Sequence, residues 1–308
     1  MRFSNWCFKF IQKPAVVLGL VLSLGLAAAC QTPAARPPAR PSAAPASPTA
    51  SPSAAAAVMQ ATAAVPRPTE TLRSTEGAAA APSGIAEADP ARVRGLLEQV
   101  DLDRAMLDLL RLTGEEPICV EGGCRTLKNR LTGSDGLQLA KMYVWGELES
   151  LGYAASVQDW SFEGYSDQNL TARKPGAVIE DEEIYFIAHL DGVDSPAADD
   201  DASGAAALLE LARVMAGQRF ARTVVLLFTT GEEQGALGAR GYVEQLTREQ
   251  ISAIRYAVNV EMIAYDSDGD GAMQLWSGDQ PQDFVLLLKE VIETYQPGLT
   301  PQIVAGCG

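Results

Sequence analysis

Four acidic clusters and one histidine carry the chemistry that this sequence offers. His189-Leu190-Asp191 follows the apolar run 184–188, and Asp199-Asp200-Asp201 lies on a loop that opens a helix. Glu232-Glu233 follows the run 222–230, and Glu261 follows the run 256–260. In an open α/β sheet, ligands gather outside the carboxyl ends of the strands. Four pieces of chain far apart in sequence thus deliver hard oxygen ligands and one imidazole to one rim, the donor set of a zinc hydrolase. His189 is the only histidine in the chain, which leaves such a site one ligand short.

Each group also has a plainer reading. His189 ends a strand, so its ring projects into the rim, and Asp191 is placed to accept the other ring N–H and fix the tautomer; alone, such a histidine merely caps a loop. In ADDDASG, residues 198–204, three adjacent aspartates repel one another unless a cation compensates. One of them, most naturally Asp201, serves as a helix N-cap. Two remain, and a carboxylate bridging two metals is the functional reading. Adjacent side chains diverge at a strand end, so one of Glu232 and Glu233 can ligate metal while the other takes a proton from metal-bound water. The alternative is a solvated turn between Gly231 and Gly235. Glu261 ends an apolar strand, where an unpaired charge is costly; its partner is either a metal or a cation such as Arg255 or Arg222.

The elements that must position these groups follow from periodicity. Residues 90–112 have helical apolar spacing behind the start signal Asp89-Pro90. Residues 114–133 read as a loop. It holds Cys119 and Cys124, which could close a small disulfide; a zinc pair competes, but no second Cys or His pair exists to complete it. Residues 134–151 predict an amphipathic helix ending at Gly152. Residues 154–162 and 169–173 alternate as strands, and 184–188 reads as a strand buried on both faces. A helix over 203–217 precedes the most β-like run, TVVLLF at 223–228. Helical spacing at 241–246 and 249–254, a strand at 256–262, a short strand at 272–276, a helix at 283–295 and a strand at 300–304 complete the pattern. Strands alternating with helices predict an α/β fold of three layers, with a mixed, mostly parallel central sheet covered on both sides.

The chain is not uniform. Residues 1–29 combine a basic start with an uncharged apolar stretch and small residues at its end, the pattern of a signal peptide. Cys30 follows Leu26-Ala27-Ala28-Ala29, which resembles the lipobox of bacterial lipoproteins, with the leucine one place further out. This predicts an exported, membrane-anchored lipoprotein at the cell surface or in the periplasm; cleavage after Ala29 leaving Cys30 as a free thiol is the alternative. Residues 31–88, rich in Ala, Pro, Ser and Thr, cannot bury enough apolar surface to offset their ordering entropy and read as a disordered tether. From Asp89 to Gly308 one domain is expected. Of 24 basic and 39 acidic residues, 7 and 3 fall before Asp89, so the domain holds 17 and 36, a net charge of −19. That excess argues against a nucleic-acid partner, which needs a basic face.

Together the motifs AHLDG (188–192), ADDDASG (198–204), TTGEEQGALGARGY (229–242) and NVEMIAYD (259–266) resemble the co-catalytic zinc aminopeptidases of the bacterial leucyl aminopeptidase and aminopeptidase Y kind, peptidase family twenty-eight. Residues 130–134, RLTGS, resemble that family's lead-in. The resemblance implies a zinc exopeptidase fold and removal of N-terminal residues from peptides. It implies that His189 and Glu261 bind one zinc, that Asp200 bridges to a second held by Glu233, that Glu232 is the general base, and that Asp191 supports His189. Glu261 stands where many members have aspartate. The family's second histidine, in a Ser-Asp-His motif, has no counterpart up to Gly308, so the C-terminal part of the domain is expected to be missing. One zinc is then expected to bind well, the second poorly, with little activity. Glutaminyl-cyclase-like chemistry and a non-catalytic peptide-binding lipoprotein are the alternatives. Asp266, Asp268 and Asp270 match the start of a calcium loop, but Ser277 stands where an EF-hand needs glutamate. A solvated turn is the default there and a loop calcium site the alternative.

Overall fold

A computed structural model describes residues 89–277 and 282–305. The expected signal peptide (1–29), Cys30 and the tether up to residue 88 lie outside the described residues.

The single helix expected over 90–112 is two helices, α1 (Pro90–Leu97) and α2 (Leu102–Thr113). Asp101 divides them: its carboxylate accepts the Arg104 N–H at 3.1 Å and caps a new helix, while its own N–H donates to Glu210 at 2.7 Å. The loop after α2 contains a short hairpin, β1 (Ile118–Val120) and β2 (Gly123–Arg125), in which Cys119 and Cys124 pair across the strands and form the disulfide. Helix α3 (Asp135–Ser150) starts where Ser134 caps the Leu137 N–H at 3.1 Å.

Five strands form the central sheet: β3 (Ala154–Phe162), β4 (Tyr165–Lys174), β5 (Ile179–His189), β6 (Arg222–Thr229) and β7 (Ile254–Asn259), in the order β3-β4-β6-β5-β7. The sheet is mixed as expected, but it is not mostly parallel. The β3–β4 and β4–β6 pairs are antiparallel, and β6–β5 and β5–β7 are parallel. The strand predicted at 256–262 stops at Asn259, which places Glu261 on the loop beyond it. Strand β8 (Ala272–Ser277) pairs in parallel with β9 (Thr300–Ala305) in a separate two-stranded sheet, joined by α7 (Gln282–Tyr295).

Alternation along the central strands feeds two layers. Val224, Leu226 and Phe228 of β6, with Phe186 and Ala188 of β5, face the larger core beneath α2, α3 and α4 (Gly204–Ala216). Tyr185, Val225 and Leu227 face the other way, towards Tyr242 of α5 (Leu237–Gln245) and Ile254, which follows α6 (Arg248–Ala253). The parallel strands β5, β6 and β7 point the same way, which brings 189, 229 and 259 to one rim.

Under the larger core the three helices are tied by charge. Arg213 of α4 donates to Asp108 of α2 at 2.5 Å, to Glu147 of α3 at 2.9 Å and to Glu210 at 3.2 Å, and Tyr143 donates to Asp108. Burial holds both Asp108 and Glu210 above their usual range despite the arginine. Removing the cation from buried carboxylates costs roughly 3–5 kcal/mol. Arg213→Met should therefore lower the unfolding free energy by about that much in urea titrations at pH 7. A buried acid with a raised pKa binds its proton more tightly when folded, so the deficit should shrink as the pH is lowered towards 5.

Candidate metal centre

His189, Asp191, the 198–203 turn, the 231–236 turn and the 260–264 loop meet at this rim. His189 is 2% exposed and Asp191 is fully buried. The His189 Nε2 lies 2.9 Å from Asp200 Oδ1, and Nδ1 lies 3.6 Å from Asp191 Oδ1, beyond a hydrogen bond. His189, Asp200 and Glu261 offer ligand atoms that all lie within 4.8 Å of one another. Glu233 is not in that group, and its buried Oε1, like His189 Nδ1, has no hydrogen-bond partner.

The carboxylate of Asp191 organises the opposite side. It accepts the backbone N–H of Glu232 at 3.1 Å, that of Glu233 at 3.2 Å, and the Thr132 hydroxyl at 3.2 Å. The turn it holds needs Gly231, whose φ is +73° and whose missing Cβ leaves room for the Trp160 ring. Burial raises the pKa of Glu232, with Glu261, Asp191 and Glu233 adding to the rise and His189 opposing it. Burial likewise raises Glu233, and Asp200 adds to it.

The three aspartates divide the work. Asp200 is half-exposed and reaches His189, whose hydrogen bond holds its carboxyl below the usual range. Asp201 is fully buried and accepts the N–H of Gly204 at 2.9 Å and of His189 at 3.1 Å, the capping role expected of it. Asp199 accepts the Ala264 N–H at 2.8 Å. The helix they open is preceded by an irregular turn (Ala198–Ser203) in which Asp200 and Asp201 have non-helical backbone angles.

The cation alternatives for Glu261 do not hold, because Arg222 and Arg255 pair with Glu182 at 2.6 and 3.1 Å. Glu261 instead accepts from the Asn259 amide at 2.6 Å. Arg130 sits deeper. It is 1% exposed and donates to the carbonyls of Leu190 (2.9 Å), Leu112, Pro196 (3.0 Å) and Ala197 (2.9 Å). Burial lowers its pKa to about 10, opposed by Asp201, Asp191, Asp200 and Glu233. Neither Arg130 nor Thr132 was legible as part of the site; both lie in the lead-in RLTGS, where nothing in composition or spacing sets them apart.

A cavity of about 500 Å³ adjoins the rim; its lining includes His189, Glu232 and Glu261 with apolar residues such as Ile187, Leu227 and Phe284. Away from it, Asp266, Asp268 and Asp270 also come together, but each accepts backbone N–H groups of its own loop, as in the solvated turn taken as the default.

An imidazole, convergent carboxylates and the buried Glu233 Oε1 without a partner fit zinc, which takes mixed nitrogen and oxygen ligands. Fold and donor set define a candidate divalent-metal site at the carboxyl rim of an α/β sheet. Residues 169–305 match Peptidase family M28, which bears out the resemblance read from the motifs. The chain is 32% identical over 146 residues to leupeptin-inactivating enzyme 1 of Streptomyces exfoliatus, covering 46% of this chain and 33% of that protein. It is 28% identical over 120 residues to aminopeptidase YwaD of Bacillus subtilis, covering 38% and 26%. The chain thus spans about a third or less of these curated relatives. In fold it is similar to the LapA aminopeptidase of Legionella pneumophila, with TM-score 0.59 and 22% identity over 71% of this chain and 58% of that one. It is also similar to a glutaminyl cyclase from Macrostomum lignano, with TM-score 0.56 and 16% identity over 73% and 77%.

Asp191→Ala would leave the Glu232 and Glu233 amides without their acceptor. Unfolding should show a loss of at least about 2 kcal/mol, and zinc titration a 10–100-fold weaker affinity, the range usual for groups behind the ligands. Asp191→Asn, which keeps one acceptor oxygen, should fall between Asp191→Ala and the unaltered chain in both measurements.

Proposed function

We propose that this domain is a zinc-dependent aminopeptidase that removes N-terminal residues from peptides. The observation that carries the reading is the convergence of His189, Asp200 and Glu261 on one rim with Glu232 beside them, all held by a shared backbone scaffold. Under it, His189, Glu261 and Asp200 hold one zinc, and Asp200 and Glu233 hold a second. Zinc, when bound, polarises the scissile carbonyl and lowers the pKa of a water towards 7. Glu232 accepts the proton of the attacking water and returns it to the leaving amine; its raised pKa brings it nearer the working pH. Asp191 fixes the orientation of Glu232 and faces Nδ1 of His189, which keeps Nε2 turned to the metal side. Among the described residues, Asp200 and Glu233 are the protein ligands that this reading gives the second position.

The reading includes export through residues 1–29 and anchoring of the domain to a membrane through acylated Cys30, with residues 31–88 as spacer. What supports this is the charge and hydropathy pattern of the N-terminus and the Ala-Ala-Cys sequence at 28–30.

The test is incubation of the chain, with excess zinc, with unblocked and N-acetylated peptides. Unblocked peptides should lose one residue at a time from the N-terminus and acetylated ones should remain intact. Glu232→Gln should lower kcat roughly 10²–10⁴-fold while zinc stoichiometry is retained. Pyroglutamate formed from an N-terminal glutamine peptide would establish the cyclase reading instead. Peptide bound but never cleaved would establish the binding-module reading.

A further inference from the structure

Two of the three aspartates in ADDDASG accept backbone N–H groups from other segments of the rim. Asp199 Oδ1 accepts from Ala264 at 2.8 Å, and Asp201 Oδ1 lies 3.4 Å from the Met262 N–H. Between them, Ser203 Oγ accepts the Ile263 N–H at 3.0 Å and donates to the Asp199 carbonyl at 2.8 Å. Three consecutive amides, 262 to 264, therefore run along the turn that carries Asp200. The residue just before them is Glu261.

The loop needs that support. Met262 has φ +52°, the left-handed region, which a residue with a long side chain keeps only where its surroundings hold it there. Met262 is more than half exposed, so packing of its side chain does not fix it. Glu261, two residues past the end of β7, lies in the group formed with His189 and Asp200, and the left-handed Met262 turns the chain that follows it back along the 199–203 turn.

We propose that Asp199 and Ser203 are positioning residues that lock the Glu261 loop to the Asp200 turn, so that two ligands from distant parts of the sequence are set as one unit. The inference rests on the zinc reading for the role of Glu261, but the lock itself is a backbone contact independent of metal. It also gives each of the three aspartates a separate contact: Asp199 holds the loop, Asp201 caps the helix and holds the His189 N–H, and Asp200 faces the His189 ring.

Asp199→Ala, Asp199→Asn and Ser203→Ala test it in the full chain by two readouts. Amide hydrogen exchange at Ile263 and Ala264 should accelerate in Asp199→Ala and Ser203→Ala and stay near that of the unaltered chain in Asp199→Asn, whose amide oxygen still accepts. Zinc affinity by titration should fall at least about tenfold in Asp199→Ala and be restored by Asp199→Asn, with a matching change in the visible spectrum of the cobalt-substituted chain. Unchanged exchange at 263 and 264 in Asp199→Ala would overturn the lock. So would exchange rising equally across the whole domain, which marks a folding defect. Faster local exchange with zinc affinity unaltered would overturn the positioning role. An unaltered chain that binds no zinc while the exchange pattern holds would overturn the zinc reading and leave the lock established.

Discussion

The carboxylate of Asp191 is the contact on which the rim depends. It is fully buried, it is anchored in the backbone just past β5, and it takes the two amides that begin the turn after β6. A carboxylate placed there does two things that no neutral residue does together. It supplies two acceptor oxygens for three donors on two other segments, and it puts negative charge behind the imidazole of His189. The orientation of Glu232, the separation of Glu232 from Glu233 and the direction of the histidine ring all follow from it. Parallel pairing of β5 with β6 and β7 brings the segments to the same rim, but pairing alone sets strands only to within a residue. The side-chain bonds set the turns.

How much of this the sequence discloses varies with the physical signal. Strands buried on both faces read as apolar runs, so 184–188 and 223–228 are legible, and the acidic groups after them stand out as polar residues where a core has just ended. The capping of Gly204 by Asp201 is legible for a local reason too, the preference of aspartate for helix N-termini. What depends on long-range contact is not. The helix over 90–112 breaks at Asp101 because its N–H finds Glu210, 109 residues away. Apolar runs do not say which strand pairs with which. The antiparallel β4–β6 pair and the separation of β8 and β9 from the central sheet were therefore invisible, and the sheet was read as more parallel than it is. Glu261 was placed at a strand end on its apolar neighbours, whereas the strand stops two residues earlier and a left-handed Met262 turns the chain.

Arg130 shows the same limit at the site itself. Its guanidinium is buried and satisfied entirely by carbonyls, so its hydrogen bonds give shape to the 190–197 loop while its charge stays uncompensated by any direct ion pair among the described residues. The compensation acts through space, from Asp191, Asp200, Asp201 and Glu233. An arginine two residues before a threonine in a loop carries no sequence signal for that; only the folded arrangement shows that the acidic rim rests on a fixed positive charge.

That fixed charge also constrains how tightly the rim binds cations. Six carboxylates, those of Asp191, Asp200, Asp201, Glu232, Glu233 and Glu261, crowd around one imidazole, and burial raises Glu232, Glu233 and Asp201 against ionisation. Burial alone would discharge His189, yet Asp191, Asp200 and Asp201 outweigh it and hold the imidazole up at about 11. A metal entering there competes with protons for the imidazole and the carboxylates, so the affinity of the site rises with pH around neutrality. Arg130 has no proton to give up in that range and opposes every added positive charge. The rim is thus tuned between two demands. It must be acidic enough to draw zinc from dilute solution, and it must carry enough built-in positive charge that the folded chain tolerates six carboxylates before zinc arrives. Asp199 and Asp201 ease the second demand further by accepting backbone N–H groups, which leaves Asp200 as the member of the triplet that faces the imidazole.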